Sequence, residues 1–67
     1  MDKEMMESMV ADFLFDSGEE YADLVLDGEP YYDPVLEMWR QDAYDSTTSY
    51  ALVAYGGEIR LEYMGTL

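Results

Sequence analysis

The sequence contains no cysteine, no histidine and very little positive charge. Without cysteine there are no disulfide bridges and no cysteine-bearing zinc sites, and without histidine there is no Ser-His-Asp or Cys-His catalysis. Lys3, Arg40 and Arg60 are the only basic residues, and they stand against 16 acidic residues, which leaves a net charge of -13. Such a chain repels nucleic acid and anionic membranes, and it attracts basic partners over a long range.

Long apolar runs are also missing, since no run of seven or more apolar residues follows the N-terminal Met-Asp-Lys-Glu. We therefore expect neither a signal peptide nor a membrane span, and a cytoplasmic location is the default. A chain of 67 residues makes a single domain, residues 1–67, which buries only about 60% of the surface of its unfolded chain. Hydrophobic residues make up 49% of the chain and aromatic residues 15%, which favours a folded domain over a disordered acidic tail.

A first helix is predicted over residues 3–15, where six apolar side chains share one side at helical spacing. These are Met5, Met6, Met9, Val10, Phe13 and Leu14. Phe15 lies outside this stripe, so it is frayed, packed under the next segment or left for a partner. The stripe is wide for so small a domain, which makes a dimer seam through Met5, Met9 and Phe13 the alternative to a monomer.

Two further short helices are predicted before residue 45. One covers residues 19–27, after a boundary at which Gly18 suits the end of the first helix and Ser17 with Glu20 also matches a capping box for the second. The other covers residues 34–43, because Asp33 is a suitable N-cap and Pro34 is favoured in a first helical turn. Within it, Glu37 and Arg40 are three residues apart and could pair.

The pattern changes to a period of two after a turn at residues 45–48, which predicts strands. Residues 50–55 and 58–64 flank Gly56-Gly57, and two glycines suit the primed turns of a hairpin. The predicted pairs are Tyr50 with Tyr63, Leu52 with Leu61 and Ala54 with Ile59, with Glu58, Arg60 and Glu62 on the other side. We thus predict an α+β domain with two or three short N-terminal helices (the acidic part, residues 1–45) packed on a C-terminal antiparallel hairpin or small sheet (residues 46–67).

The candidate binding residues are mostly acidic and lie before residue 46. In the predicted second helix, Glu19, Glu20, Asp23 and Asp27 fall on one arc, and the run continues into Glu29 and Asp33. Glu7, Asp12 and Asp16 form a second strip. Carboxylates at i and i+4 on a helix are about 6 Å apart along its axis, whereas a DNA strand carries a phosphate every ~3.4 Å. An acidic helix face can therefore occupy a basic cleft that is built for DNA.

Tyrosines complete the candidate set. Tyr31 and Tyr32 lie between acidic residues and are predicted to anchor an interface, because tyrosine is enriched at hot spots and its ring accepts cations. Tyr50 and Tyr63 are assigned to the scaffold. No cofactor is expected, and a calcium site at Asp12, Asp16, Glu19 and Glu20 is disfavoured because no EF-hand loop is present. A catalytic carboxylate pair is disfavoured because so short a chain offers little interior to keep one acid protonated.

Two other interpretations of the acidity remain open. One is an acidic adaptor for a basic protein other than a nucleic-acid enzyme, and the other is adaptation to concentrated salt. In the second case the charge would say nothing about partners. Adaptation to concentrated salt is disfavoured because residues 46–57 contain no acidic residue.

The acidic runs Asp12 to Asp33 and Asp42 to Asp45, together with the order of helices followed by a hairpin, give the chain a resemblance in type. It resembles the small phage-encoded anti-CRISPR proteins that act as DNA mimics, although no short diagnostic motif is shared. The resemblance implies a non-enzymatic inhibitor that occupies the DNA-binding channel of a CRISPR surveillance complex in the host-cell cytoplasm. A Cascade-type assembly and its PAM-reading subunit are the favoured target, with no direct contact to nucleic acid.

Overall fold

The first predicted helix is confirmed as α1, Lys3–Asp16, in a computed structural model that describes all 67 residues. Asp2 caps its N-terminus, because Oδ1 of Asp2 accepts a hydrogen bond from the N–H of Met5 at 2.9 Å. Ser17 follows the last helical residue, and its hydroxyl donates to the carbonyl of Phe13 at 2.7 Å. Ser17 therefore closes α1 and does not open a second helix.

Five strands follow, and all of them pair antiparallel in one sheet of order β1-β3-β4-β5, with β2 also paired to β3. Their bounds are β1 Val25–Leu26, β2 Tyr31–Asp33, β3 Met38–Tyr44, β4 Thr48–Tyr55 and β5 Glu58–Thr66. The α+β prediction is thus confirmed, but the fold has one helix on a five-stranded sheet. The prediction of a second and a third helix was wrong.

In place of the predicted helix over residues 19–27, the chain makes consecutive turns over residues 17–23 and then enters the sheet as β1. Only nine residues separate Gly18 from Gly28, and an isolated helix of that length is marginal in water. Four like charges on one arc weaken it further. Pairing of Val25 and Leu26 with β3 covers a sheet edge that would otherwise be free.

In place of the predicted helix over residues 34–43, residues 34–37 turn the chain from β2 into β3. Oδ1 of Asp33 accepts the N–H groups of Val35 at 2.9 Å and Leu36 at 3.2 Å, which is the capping interaction expected of a helix start. Glu37 then adopts a positive φ of 55°, and this left-handed residue ends the turn after one cycle. The capping signal was read correctly, but a hairpin uses it here.

The C-terminal hairpin is confirmed with the predicted register. Tyr50 pairs with Tyr63, Leu52 with Leu61 and Ala54 with Ile59. Gly56 and Gly57 have φ values of 58° and 84°, as a type I′ turn requires. The predicted turn before it is confirmed as well, because Oδ1 of Asp45 accepts the N–H groups of Thr47 and Thr48.

Helix α1 covers one face of the sheet. Its Met6 and Val10 bury against Leu52 of β4, with Trp39, Ile59 and Leu61 packed around them. Met5 is 54% exposed and takes no part in this core, although the sequence placed it in the inner stripe. The opposite face carries no helix, and we call it the open face. Side chains alternate between the two faces along each strand, so both arginines fall on the open face.

Candidate acidic binding surface

The negative charge is distributed unevenly over the fold. Ten acidic residues lie in residues 2–29, where Lys3 is the only base, and six lie in residues 30–67 beside two arginines. Arg40 and Arg60 flank Val53 across three adjacent strands of the open face. The helix side of the molecule therefore holds most of the acids and almost none of the compensating charge.

Both arginines are engaged where they lie. The guanidinium of Arg40 is 3.4 Å from the carboxylate of Asp33, and the expected pair with Glu37 is not formed. The guanidinium of Arg60 lies 4.4 Å from the ring centroid of Tyr55, at cation–π distance. Neither arginine neutralises an acid on the helix side.

A first acidic cluster surrounds a shallow hollow of about 170 Å³ beside the turns after α1. Glu19, Glu20, Asp23 and Asp45 line it, and we call these four residues the turn patch. Tyr21 and Tyr50 also line this hollow, and no basic side chain does. Glu19, Glu20 and Asp23 are exposed. In the hollow, partial burial and then the negative charge of Glu20 raise the pKa of Tyr21.

Asp45 differs from its neighbours in the turn patch because its carboxylate is held in place. Backbone N–H groups of Thr47 and Thr48 donate to it, and the hydroxyl of Tyr50 donates at 3.2 Å. The hydrogen bond from Thr47, followed by those from Thr48 and Tyr50, lowers the pKa of Asp45. Asp45 thus keeps its charge to lower pH than an ordinary aspartate.

A second acidic cluster lies along the flank of α1. Asp12, Asp16 and Glu58 line another hollow, together with the apolar side chains of Met9, Phe13 and Ile59. We call these three carboxylates the flank patch, and all three are exposed. The last turn of α1 contains no basic residue, so the negative end of the helix dipole adds to their field.

The two patches adjoin each other. Phe13, which lines the flank-patch hollow, stacks on Tyr21, which lines the turn-patch hollow, with ring centroids 5.6 Å apart and planes inclined by 18°. Seven carboxylates therefore lie around one continuous surface, and Glu58, which by register belongs to the open face with Arg60, lines it at the end of the hairpin. Lys3, the only base on the helix side, is engaged elsewhere, because its Nζ is 2.8 Å from Oε1 of Glu29.

The remaining predicted carboxylates lie apart from the two patches. Asp27 is exposed in the connection between β1 and β2, and Glu29 is paired with Lys3. Asp33 is half-buried and structural. The backbone N–H of Leu36, then that of Val35 and the charge of Arg40 lower its pKa. Glu7 lies on the other flank of α1, beside a groove described below.

Tyr31 and Tyr32 are neighbours in a strand, so their side chains point to opposite faces. The hydroxyl of Tyr31 donates to the Asp42 carboxylate at 3.2 Å on the open face, while Tyr32 lies edge-on to Trp39 at 6.0 Å. The structure therefore does not bring the two tyrosines together with the acidic patches. The tyrosines that lie among the acids are Tyr21 and Tyr50, which both line the turn-patch hollow, and neither was among the predicted binding residues.

Two carboxylates of the patches were absent from the predicted set, namely Asp45 and Glu58. Both sit at turns that the sequence did predict, Asp45 at the start of the 45–48 turn and Glu58 directly after Gly57. The strand bounds alone could have suggested them. Their proximity to residues 12–23 depends on how α1 crosses the sheet, which no local pattern reveals.

No group of three or more acidic side chains converges on a point that could hold a metal ion. No helix of the structure is both long enough and apolar enough to cross a membrane. No protein-family model, no curated protein and no solved structure matches the chain.

Proposed function

We propose that this protein is a non-enzymatic inhibitor that mimics nucleic acid and occupies the DNA-binding site of a host defence complex. The observation that carries the proposal is the continuous surface of the turn patch and the flank patch, seven carboxylates without a basic side chain among them. A phage-encoded anti-CRISPR protein directed at a Cascade-type complex is the favoured form of the proposal. The resemblance in type supports that choice of target through its acidic runs alone, because the structure has one helix and a sheet in place of several helices followed by a hairpin.

The cost of this arrangement to folding supports a role for the charge. Like charges in proximity destabilise a fold, and a domain of 67 residues has only about 3–10 kcal/mol of stability to lose. Two salt bridges are the only ion pairs in the structure, and neither involves a carboxylate of the two patches. Uncompensated acids on one side of so small a protein are better explained by a basic partner than by stability.

The dimensions of the molecule suit a DNA cleft. The longest principal extent is 29 Å, which corresponds to about eight phosphate steps of one DNA strand at ~3.4 Å each. Helix α1 has 14 residues and is therefore about 21 Å long. A cleft that grips a short stretch of duplex can accommodate a body of this size with its acidic side facing the cleft's lysines and arginines.

The test is capture of the target from lysate of a host cell, followed by competition with DNA. A mimic and DNA exclude each other, so a duplex carrying the target's site should displace the protein. The triple variant Glu19→Gln, Glu20→Gln and Asp23→Asn should lose most of the affinity, because all three side chains are exposed and none forms a salt bridge.

The matched control neutralises three acids elsewhere, Glu37→Gln, Asp42→Asn and Glu62→Gln, and so produces the same net charge. Mimicry predicts a much smaller loss of affinity for this control. Equal losses would mean that only net charge matters, and capture that is indifferent to DNA would refute the proposal.

The second candidate is an acidic adaptor that binds a basic protein through protein-like contacts. The open face favours it, since Met38, Tyr55, Arg60 and Glu62 surround a hollow over Val53 there. Such a mixed apolar and charged surface resembles a protein interface more than a phosphate backbone. An adaptor would stay bound to its partner in the presence of DNA, and the Glu37, Asp42 and Glu62 control would weaken it most.

A further inference from the structure

A groove of about 310 Å³ separates α1 from the connection between β1 and β2, and we call it the α1 groove. Its helix wall is made by Val10, Ala11 and Leu14, and the facing wall by Leu26 and Pro30. The volume is at the lower end of that of ligand pockets. These walls are apolar and suit the aliphatic stem of a long side chain.

The polar side chain at the base of the α1 groove is Gln41, which is only 1% exposed. Its Nε2 donates to the backbone carbonyls of Asp42 at 2.9 Å, Gly28 at 3.1 Å and Asp27 at 3.4 Å. These bonds commit both hydrogens of the amide. The Oε1 of Gln41 has no hydrogen-bond partner in the chain, although it is not sealed off from the groove. A carbonyl in so buried a residue favours a ligand that brings a donor.

The rim of the α1 groove carries two carboxylates, Glu7 and Glu29. Lys3 pairs with Glu29 at 2.8 Å from outside the lining, and its charge also acts on Glu7, so the two carboxylates and Lys3 together leave one negative charge at the rim. All three polar side chains that line the groove are thus hydrogen-bond acceptors towards a ligand. A cation with several donors and an apolar stem is complementary to them in both charge and shape.

We propose that the α1 groove binds one arginine side chain of the basic partner, an inference that rests on the proposed function and adds an anchor point to it. Arginine fits better than lysine because its planar guanidinium is weakly hydrated and offers five donors in a fixed fork. Glu7 and Gln41 line the same groove and both offer acceptors to the fork, and charge-assisted bonds such as that to Glu7 are the stronger ones. The stem then lies against Ala11 and Leu26.

The experiment is an NMR titration of the ¹⁵N-labelled protein with N-acetyl-arginine methylamide, which needs no natural partner. A dissociation constant on the order of millimolar is expected for so small a probe. Saturable shifts should concentrate on the side-chain amide of Gln41 and the backbone of Gly28 and Glu29. The lysine analogue should bind more weakly, and the uncharged citrulline analogue should not saturate.

Two pairs of variants separate groove binding from general attraction to an acidic protein. Ala11→Leu fills the groove and should weaken binding at least fivefold, while Ser8→Leu on the outer side of the same helix should have no effect. Glu7→Gln should weaken binding similarly, and Glu4→Gln, which removes the same charge outside the lining, should not. If Ala11→Leu does not fold, the comparison of Glu7→Gln with Glu4→Gln still distinguishes binding in the groove from general attraction.

A variant of Lys3 should strengthen binding of the arginine probe, whereas the variants above should weaken it. Lys3→Met frees Glu29 and should strengthen binding of the arginine probe about threefold to tenfold, whereas Arg60→Met removes the same charge from the open face and should leave it unchanged. Shifts that spread over the turn and flank patches without saturation, or equal effects of each variant and its control, would overturn the inference. Saturable groove binding without any competition by DNA in the capture experiment would instead refute mimicry and leave the groove standing.

Discussion

Gln41 is the one fully buried polar side chain of the fold, and replacing it tests how the interrupted sheet edge is held. Its Nε2 donates to the carbonyls of Gly28 and Asp27, which lie between β1 and β2 and have no strand partner there. The variant Gln41→Met preserves volume but removes both bonds. The carbonyl of Asp42 keeps a donor, because the N–H of Asp27 also bonds to it at 2.9 Å.

The expected loss follows from the groups that are left unpaired. A buried polar group without a partner costs about 1–3 kcal/mol, and one to two carbonyls are affected at an edge that water can partly reach, so we expect a total of about 1–3 kcal/mol. For a domain of this size that lowers the Tm by about 4–24 °C. Thermal and urea unfolding followed by circular dichroism measure it. Leu52→Met, at the facing register position, is the control and should cost less than about 1.5 kcal/mol.

The variant Gln41→Glu tests the same hydrogen bonds through the pH dependence of its stability. The new carboxylate would face carbonyl oxygens in a buried site, so its pKa in the folded state should lie above its unfolded value of about 4.3. A group whose folded pKa is raised loses its stability contribution as pH rises through that pKa. The deficit of Gln41→Glu relative to wild type should therefore grow from pH 5 to pH 7, while that of Gln41→Met should stay constant. A Tm loss below about 2 °C for Gln41→Met, or a constant deficit for Gln41→Glu, would refute the bonding scheme.

Three further predictions concern the scaffold and its charge. Leu52→Ala removes the centre of the core that Met6 and Val10 form on the sheet, so it should cost about 2–5 kcal/mol in urea unfolding, and a loss below 1 kcal/mol would contradict the packing. Gly56→Val should cost about 1–2 kcal/mol because φ is 58° there, whereas Gly56→Asn should be nearly neutral in the same assay. Added NaCl should raise the Tm, since salt screens repulsion among charges farther apart than about 8 Å, and a Tm that falls with salt would contradict the repulsion argument.

The parts of the fold that the sequence predicted correctly are those with a local cause. The N-terminal helix follows from the spacing of Met6, Val10 and their neighbours, and the hairpin register follows from Gly56-Gly57, because a two-residue loop leaves one antiparallel pairing. These signals act within a few residues of each other. Tertiary context had no opportunity to override them.

The two helices that are absent show where a local pattern is ambiguous. In residues 38–44, Trp39 and Ala43 share a helical side at i and i+4, but they also share a strand face at an even spacing. Asp33 supplies the same cap to a helix or to a turn. The choice between helix and strand for residues 38–44 depends on β4. Leu52 of β4 needs a paired strand on each side to be buried, and such pairing is a long-range requirement.

The same limit applies to the candidate surface. Exposure of Glu19, Glu20 and Asp23 was predicted correctly, although from a helix that does not form. Their association with Asp45 and, through the stacked rings of Phe13 and Tyr21, with the flank patch was not predictable, because it requires residues 17–23 to fold back beside β4. The net charge can be calculated from composition alone, but which carboxylates form one patch depends on the topology of the fold.

The placement of charge also separates the competing explanations of the acidity. Adaptation to concentrated salt acts on the whole solvent-exposed surface, and it gives no reason to place Arg40 and Arg60 together on the open face while the turn and flank patches hold seven carboxylates without a base among them. A basic partner gives that reason, because attraction adds up over the side that docks and bases there would oppose it. The open face is then free to hold its arginines in local contacts with Asp33 and Tyr55. The asymmetry thus argues for a docking side, and the two neutralised triple variants, equal in charge and different in position, measure it directly.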